Sequence, residues 1–377
     1  PAADPRIVVV DIDQKSLAEL GRWPWSRRTH AQLVDRLRVA EAKGIAFNIL
    51  LSEPALFDPE GDALLARAIG RSGRVVLPVL AESVQLNGPS VELMPIPEFA
   101  ASAASLGHAE MVLDDDGVAR SVYLRAGLGS PHWPALALAL LQLDQPPGTA
   151  TELPGRRRVK TELPAASPFD WVRDHEVLVP FTSPPNAFRH VSYTDVLNQR
   201  IPMSLLRGNW VVVGVNATGM GPLARAPGQP PTASMSGAEY QANLLNMLLK
   251  DAAITPMAEG WQAALAALVA GFPLLLSILP AFRRIWLPTV ATMAGTLLLS
   301  VALLRFGHVW FSPVPALLVL ALGASLWIYR LLRQTHKQAQ SDALTGLANR
   351  TRFDQALDQE LRMARRSGQP LSLLVMD

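Results

Sequence analysis

Three long apolar runs without a charged side chain constrain this chain more than any other feature. They span residues 261–282, 285–304 and 309–329, and each is at least 20 residues long. A hydrocarbon layer about 30 Å thick needs about 20 helical residues to cross it, so each run is long enough to span a bilayer. Buried helices of soluble proteins rarely stay uncharged over such lengths, and three in succession predict three transmembrane helices within residues 258–330.

The charges beside these runs predict their orientation. Arg283 and Arg284 separate the first two runs, and Arg330 and Arg333 follow the third. Because cytoplasmic loops carry an excess of Lys and Arg, we expect residues after 330 in the cytoplasm and residues before about 256 outside it. A large outer domain needs an export signal, so we also expect an upstream signal anchor, which would be a fourth span.

The composition excludes several classes of protein. Only 18% of the residues are charged, whereas soluble domains carry about a quarter. A net charge of +2 argues against a strongly basic nucleic-acid-binding protein, and we expect no nucleic-acid partner. The chain contains no cysteine, which excludes disulfides, thiolate metal sites and a cysteine nucleophile.

Residues 1–255 alternate apolar runs with helical patterns. Five continuous apolar runs are typical of buried strands: residues 6–10, 44–51, 75–80, 177–181 and 211–215. Two segments carry apolar residues at helical spacing: residues 29–42 and 236–249. This alternation predicts an α/β domain with a largely parallel sheet.

Acidic residues at strand ends are the candidate ligand-binding residues of this domain. Asp11 and Asp13 end the first predicted strand, where α/β folds place carboxylates for ligands or metals. The alternative is that these acids cap the helix that begins near Ser16. Glu53 is the third candidate.

The remaining polar patterns do not predict chemistry. Asp114, Asp115 and Asp116 are better explained by a hairpin turn between residues 109–113 and 119–124 than by a calcium loop. The seven histidines show no metal-ligand spacing. We therefore predict no catalytic residue in this domain.

Five segments of this domain, in their order, carry a resemblance to a known family. They are residues 7–27 (IVVVDIDQKSLAELGRWPWSR), 44–54, 106–120, 133–141 and 205–221 (LLRGNWVVVGVNATGMG). Together they resemble the second type of CHASE domain, an extracytoplasmic sensor module of bacterial receptors. The resemblance implies that residues 1–255 sense an extracytoplasmic ligand. Asn48 and Ala55 stand where it leads us to expect acidic residues, which argues against an acidic pocket at that strand end.

The segment after the third run lacks Gly and Pro up to residue 343. Tyr329, Leu332, His336 and Ala339 recur at spacings of three and four. We expect residues 331–341 to form a helical linker that either pairs with its copy in a homodimer or is a solvated stalk.

The pattern of residues 342–377 predicts a turn, an amphipathic helix and a buried strand at 371–376 that ends in Asp377. Asn349 is suited to cap the helix and Gly368 to end it. The segments DALTGLANR (342–350) and RSGQPLSLLVMD (366–377) resemble the start of a GGDEF domain, the diguanylate cyclase module. No Gly-Gly-Asp/Glu-Glu-Phe sequence occurs in the 377 residues, so we expect this truncated start to be inactive alone.

The GGDEF resemblance implies that a homodimer condenses two GTP molecules into cyclic di-GMP. It also implies that Asp377 binds Mg²⁺, a hard cation that prefers carboxylate and phosphate oxygens. The predicted protein is an α/β extracytoplasmic sensor, a three-helix transmembrane segment and a cytoplasmic GGDEF start, in a bacterial inner membrane. The alternative is a receptor whose degenerate GGDEF domain regulates a cyclic di-GMP phosphodiesterase or acts without catalysis.

Overall fold

The computed structural model describes residues 1–83, 90–146, 152–158, 167–217, 219–220, 223–230, 234–276, 286–338 and 349–374. They belong to two compact units. The first unit consists of Pro1–Ala258 with Leu303–Phe311, and the second of Glu259–Ala302 with Ser312–Asp377.

The first unit contains both strands and helices. The strands are β1 (Ile7–Ile12), β2 (Gly44–Phe47), β3 (Val75–Ser83), β4 (Ser90–Leu93), β5 (Ser105–His108), β6 (Ser121–Leu128), β7 (Trp133–Pro134), β8 (Trp171–Leu178), β9 (Arg189–Ser192), β10 (Trp210–Val215), β11 (Leu223–Ala224), β12 (Met235–Ser236), β13 (Thr255–Pro256) and β14 (Val309–Trp310). The helices are α1 (Gln14–Leu20), α2 (Arg27–Val39), α3 (Pro59–Ser72), α4 (Pro97–Ser102), α5 (Leu136–Gln142), α6 (Tyr193–Leu197) and α7 (Gly237–Leu249).

A parallel sheet in the order β5-β3-β2-β10-β1-β9 forms the centre of the first unit, and β4 pairs antiparallel with the end of β3. In the central pair Ile7 lies opposite Trp210. The apolar runs at residues 6–10, 44–51, 75–80 and 211–215 correspond to four of these strands. The predicted α/β domain with a largely parallel sheet is confirmed for this unit.

Both faces of the sheet are covered, which explains why β1 lacks polar alternation. Val8 and Val10 pack on the side of α2 and α3, whereas Ile7 and Val9 pack on the side of α5 and α7. All four side chains are fully buried. Burial of one such side chain stabilises a fold by about 1.5–3 kcal/mol.

Two strand predictions were wrong. In the run at residues 177–181 only Val177 and Leu178 belong to a strand, β8, which pairs antiparallel with β6 in a separate three-stranded sheet. Val177 is nevertheless buried in the core. A short apolar run looks alike in a buried parallel strand and in a buried antiparallel strand, so the sequence did not distinguish the two. The predicted turn exists, since Gly117 N–H donates to the Asp114 carbonyl, but residues 109–113 are not a strand. The neighbours of β6 are β7 and β8 instead.

A short ladder joins two distant parts of the first unit. Strands β13 and β14 run parallel, with Thr255 opposite Val309. The backbone N–H of Thr255 donates to the carbonyl of His308 at 2.8 Å, and that of Met257 to the carbonyl of Trp310 at 3.0 Å. The segment between the second and third apolar runs is therefore bonded to the residues that precede the first run.

The second unit contains α8 (Glu259–Leu276), most of α9 (Trp286–Gly307), α10 (Val314–Gln338) and α11 (Arg350–Ser367). Among the described residues, two helices are long and apolar enough to span a membrane: Leu287–Gly307 and Val314–Arg333. Only 17% and 11% of their apolar windows are buried, which is unlike core helices of soluble proteins. The first run is described only up to Leu276, so three spans are not confirmed.

The helix α10 continues through the predicted linker as far as Gln338, and residues 339–348 lie outside the described part. The side-chain oxygen of Asn349 accepts a hydrogen bond from Arg352 N–H at the start of α11, and Gly368 ends that helix at a φ of 69°. Both predicted helix boundaries are confirmed. Residues 371–374 are exposed and not a strand, while the rest of that prediction lies outside the described residues.

Candidate functional site

A cavity of about 460 Å³ opens at the carboxyl edge of the parallel sheet. Residues of β3 and residues that follow β2, β5 and β10 line it, among them Leu80 and Asn48, and the first turns of α7 close one side. Clefts outside the carboxyl ends of strands are the usual ligand sites of open α/β sheets. The volume lies within the range of about 300–1,000 Å³ that is typical of small-molecule sites.

Two glycines allow α7 to approach this edge closely. A Cβ on Gly214 would lie 2.9 Å from the Cβ of Ala238, and a Cβ on Gly237 would lie 3.2 Å from the side-chain nitrogen of Asn48. The helix begins here because the Ser236 hydroxyl accepts a hydrogen bond from the Glu239 N–H. The cavity wall therefore depends on small residues at the contact between β10 and α7.

The cavity wall is apolar with a few polar groups. The Tyr240 hydroxyl donates to the carbonyl of Ser121 at 3.2 Å, and burial raises the pKa of this phenol. Gln241 is 1% exposed, and its side-chain oxygen has no hydrogen-bond partner in the described part of the chain. Among the described residues, every residue that lines the cavity is uncharged.

Trp23 adds an aromatic ring to the cavity wall. This ring contacts Trp25 edge-on at 5.3 Å and His30 at 5.6 Å between centroids. His30 is bonded in turn to the Tyr193 hydroxyl at 2.7 Å, and burial lowers the pKa of this histidine to about 3. A packed aromatic cluster thus fixes the position of Trp23.

A buried charged cluster joins β1, β9 and α7. His190 Nδ1 lies 2.7 Å from an oxygen of Asp11, and Nε2 lies 3.0 Å from an oxygen of Glu239. Burial by itself lowers the pKa of His190, but the bonds to the two carboxylates outweigh it and raise the pKa to about 10. At neutral pH the cluster is an imidazolium between two carboxylates, which is a structural bridge.

The three predicted ligand-binding residues have different surroundings. Asp11 belongs to the charged cluster. Asp13 accepts hydrogen bonds from Ser16 N–H at 2.8 Å and from the Ser192 hydroxyl, so it caps α1. Glu53 is exposed, and its carbonyl accepts a bond from Arg27. The structure does not bring the three carboxylates together, and ligand binding by Asp11, Asp13 and Glu53 stays a prediction.

Sequence reasoning missed the residues that matter most in this geometry. His190 and Gln241 lie in segments without a recognisable motif, and their roles arise from contacts with distant strands. The one sequence signal that could have indicated them is a polar residue within an otherwise apolar strand or helix. In the described residues no cluster of three or more His, Asp or Glu could hold a metal ion, and Asp377 lies outside those residues.

Comparisons with known families match most of the chain. The family described as the CHASE2 domain matches residues 1–279. The family described as the diguanylate cyclase GGDEF domain matches residues 339–377. No curated protein and no solved structure matches the chain significantly.

Proposed function

The chain belongs to the CHASE2 domain family, and from this premise we propose a membrane receptor that controls cyclic di-GMP synthesis. Its CHASE2 domain receives an extracytoplasmic cue, and a cytoplasmic GGDEF domain responds. The observation that carries the proposal is the order along the chain. Helices apolar enough to cross a membrane lie between the body of the sensor and the GGDEF match.

The β13–β14 ladder supports three spans at 261–282, 285–304 and 309–329. Met257 and Trp310 share a backbone hydrogen bond, so they lie on the same side of a membrane. The chain between them must then cross an even number of times. Since α9 supplies one crossing, the segment that begins with α8 supplies another. Together with the excess of Arg after the third run, three spans support a topology with residues 1–255 outside the inner membrane and residues 331–377 in the cytoplasm.

The GGDEF match supports GTP as the substrate and a homodimer as the active form. In this proposal each subunit holds one GTP, and Asp377 helps to bind Mg²⁺. The cation would offset the negative charge that develops on the transferred phosphoryl group. The preference of Mg²⁺ for carboxylate oxygens supports Asp377 as a ligand.

Control of the cyclase requires that the cue distinguish two states of the dimer. A ligand shifts an equilibrium only by its difference in affinity for the two states. The helix α10 supports this route, because it continues from the apolar run to Gln338 without interruption. The linker at residues 331–341 then carries the shift to the GGDEF domain.

The test incubates the full-length protein in lipid nanodiscs with GTP and Mg²⁺ and measures cyclic di-GMP by mass spectrometry. We expect product from the dimer, a strong loss for Asp377→Asn, and wild-type output for the matched control Asp358→Asn on α11. A dimeric protein that forms no product would contradict the proposal. Binding of GTP without turnover would favour the second candidate, a receptor with a regulatory GGDEF domain.

A further inference from the structure

The side chain of Gln241 is unusual in the wall of the carboxyl-edge cavity. It is 1% exposed, and its oxygen has no hydrogen-bond partner among the described residues. A buried acceptor without a partner costs about 1–3 kcal/mol, so native structures rarely retain one without a reason. Gln241 lines the cavity, so a turn of its side chain toward a ligand that donates a hydrogen bond to this oxygen removes that cost.

Asn48 supplies a second polar group from a different element. It follows β2, lines the same cavity, and lies against the backbone of Gly237. Its side chain makes no hydrogen bond to a described residue. Two amide side chains, one from the sheet edge and one from α7, therefore remain for a ligand.

The rest of the wall argues against a charged ligand. The cavity is otherwise lined by residues such as Leu50, Leu80 and Met111, and no described Lys, Arg, Asp or Glu lines it. A charge moved there would lose its hydration without gaining a partner. The start of α7 attracts anions in principle, but Glu239 already places a carboxylate in that first turn.

We propose that this cavity binds a small uncharged molecule with an aromatic or apolar body and an N–H or O–H donor. The donor bonds to the Gln241 oxygen, Asn48 bonds to a further polar group, and the body packs beside Trp23. The identification of this molecule as the cue rests on the proposed receptor function. The proposal that the cavity binds such a molecule does not depend on that function.

The test uses three probes and the full chain in lipid nanodiscs, with binding measured by ligand-observed NMR. Indole is neutral and carries an N–H donor, N-methylindole lacks the donor, and indole carboxylate adds a charge. We expect indole to bind, N-methylindole to bind about tenfold more weakly, and the carboxylate not to bind; tenfold corresponds to about 1.4 kcal/mol. Indole also partitions into the lipid of the nanodisc. The variant Met111→Trp fills the cavity, so the signal that it retains measures this lipid binding and is subtracted.

The variant Gln241→Leu separates a ligand role from a structural role. We expect it to keep the wild-type melting temperature, because it removes an unpaired acceptor, and to lose about tenfold in indole affinity. The matched control Gln32→Leu, at an exposed position on α2, should keep both. A lower melting temperature with unchanged indole affinity would overturn the proposal.

Two further outcomes would overturn the ligand class. One is no indole binding at millimolar concentration, and the other is equal affinity for indole and N-methylindole. The proposed function is tested separately by cyclic di-GMP output. Output without indole binding rejects only the ligand class, whereas indole binding in a protein that makes no cyclic di-GMP supports the site and rejects the cyclase.

Discussion

His190 on β9 lies 2.7 Å from Asp11 on β1, and the pair holds two adjacent strands together at the edge of the sheet. The histidine has a pKa of about 10 in the folded chain and 6.5 in its ordinary state. A group whose folded pKa is raised stabilises the fold fully below the unfolded value and loses this effect as the pH rises through the folded value. The wild-type chain should therefore lose stability between pH 6.5 and 10.

The variant His190→Gln tests this bridge. It leaves Asp11 and Glu239 buried without a cation, so we expect the free energy of unfolding at pH 7 to fall by about 3–5 kcal/mol. The measurement is denaturant unfolding followed by tryptophan fluorescence across pH 6.5–10. His132→Gln is the control at an exposed position. A variant that keeps the wild-type loss at alkaline pH would contradict this role of His190.

A second histidine predicts sensitivity to acid. Burial lowers the pKa of His108 to about 4, so the folded chain keeps it neutral while the unfolded chain protonates it below pH 6.5. Stability should fall by about 1.4 kcal/mol per pH unit as the pH drops from 6.5 to 4. His108→Leu should reduce this slope in the same unfolding measurement. An unchanged slope would mean that other groups cause the acid loss.

The contact between β10 and α7 leaves no space for a methyl group at Gly214. Gly214→Ala would place its Cβ 2.9 Å from that of Ala238, and such overpacking costs about 1–3 kcal/mol. We expect Ala238→Gly to relieve part of this loss in a double-mutant cycle of melting temperatures. Strictly additive effects of the two substitutions would show that the contact is not tight.

The cap on α1 can be separated from a ligand role of Asp13. Asp13→Ala removes the acceptor for Ser16 N–H and should cost about 0.5–2 kcal/mol, whereas Asp13→Asn retains a capping side chain and should cost less. Thermal unfolding measures both. Equal losses for the two variants would show that the charge, and not the cap, stabilises the chain.

The absence of cysteine makes the membrane topology directly testable. Single cysteines at Ser130, Ala281, Ser312 and Ser341 can be labelled with an impermeant maleimide before and after lysis of spheroplasts. We expect labelling of positions 130 and 312 in intact spheroplasts, and of positions 281 and 341 only after lysis. Labelling of 281 and 312 from the same side would contradict three spans.

Periodicity predicted the parts of the fold that local sequence controls. The β-branched run of β1, the helices α2 and α7, and the boundaries of α11 at Asn349 and Gly368 all follow from residues close together in the chain. An apolar run does not reveal its partner strand, and for this reason the run at residues 177–181 was placed in the wrong sheet.

The candidate site was less predictable because it is made of long-range contacts. Asp11 and Asp13 were predicted to bind a ligand because they are acids at a strand end. In the structure Asp11 bonds to His190 and Asp13 caps α1. The partner of Asp11 is 179 residues away, and Gln241 is buried where α7 packs on the sheet. Asn48 lines the cavity and was also singled out in the sequence. There it indicated merely that an expected acidic residue is missing.

The unbroken course of α10 has a mechanical consequence. At a rise of about 1.5 Å per residue, its 25 residues form a rod of about 37 Å, longer than the lipid tails are thick. No break interrupts the helix between its ends. A turn or a push applied at Val314 therefore meets no hinge before Gln338.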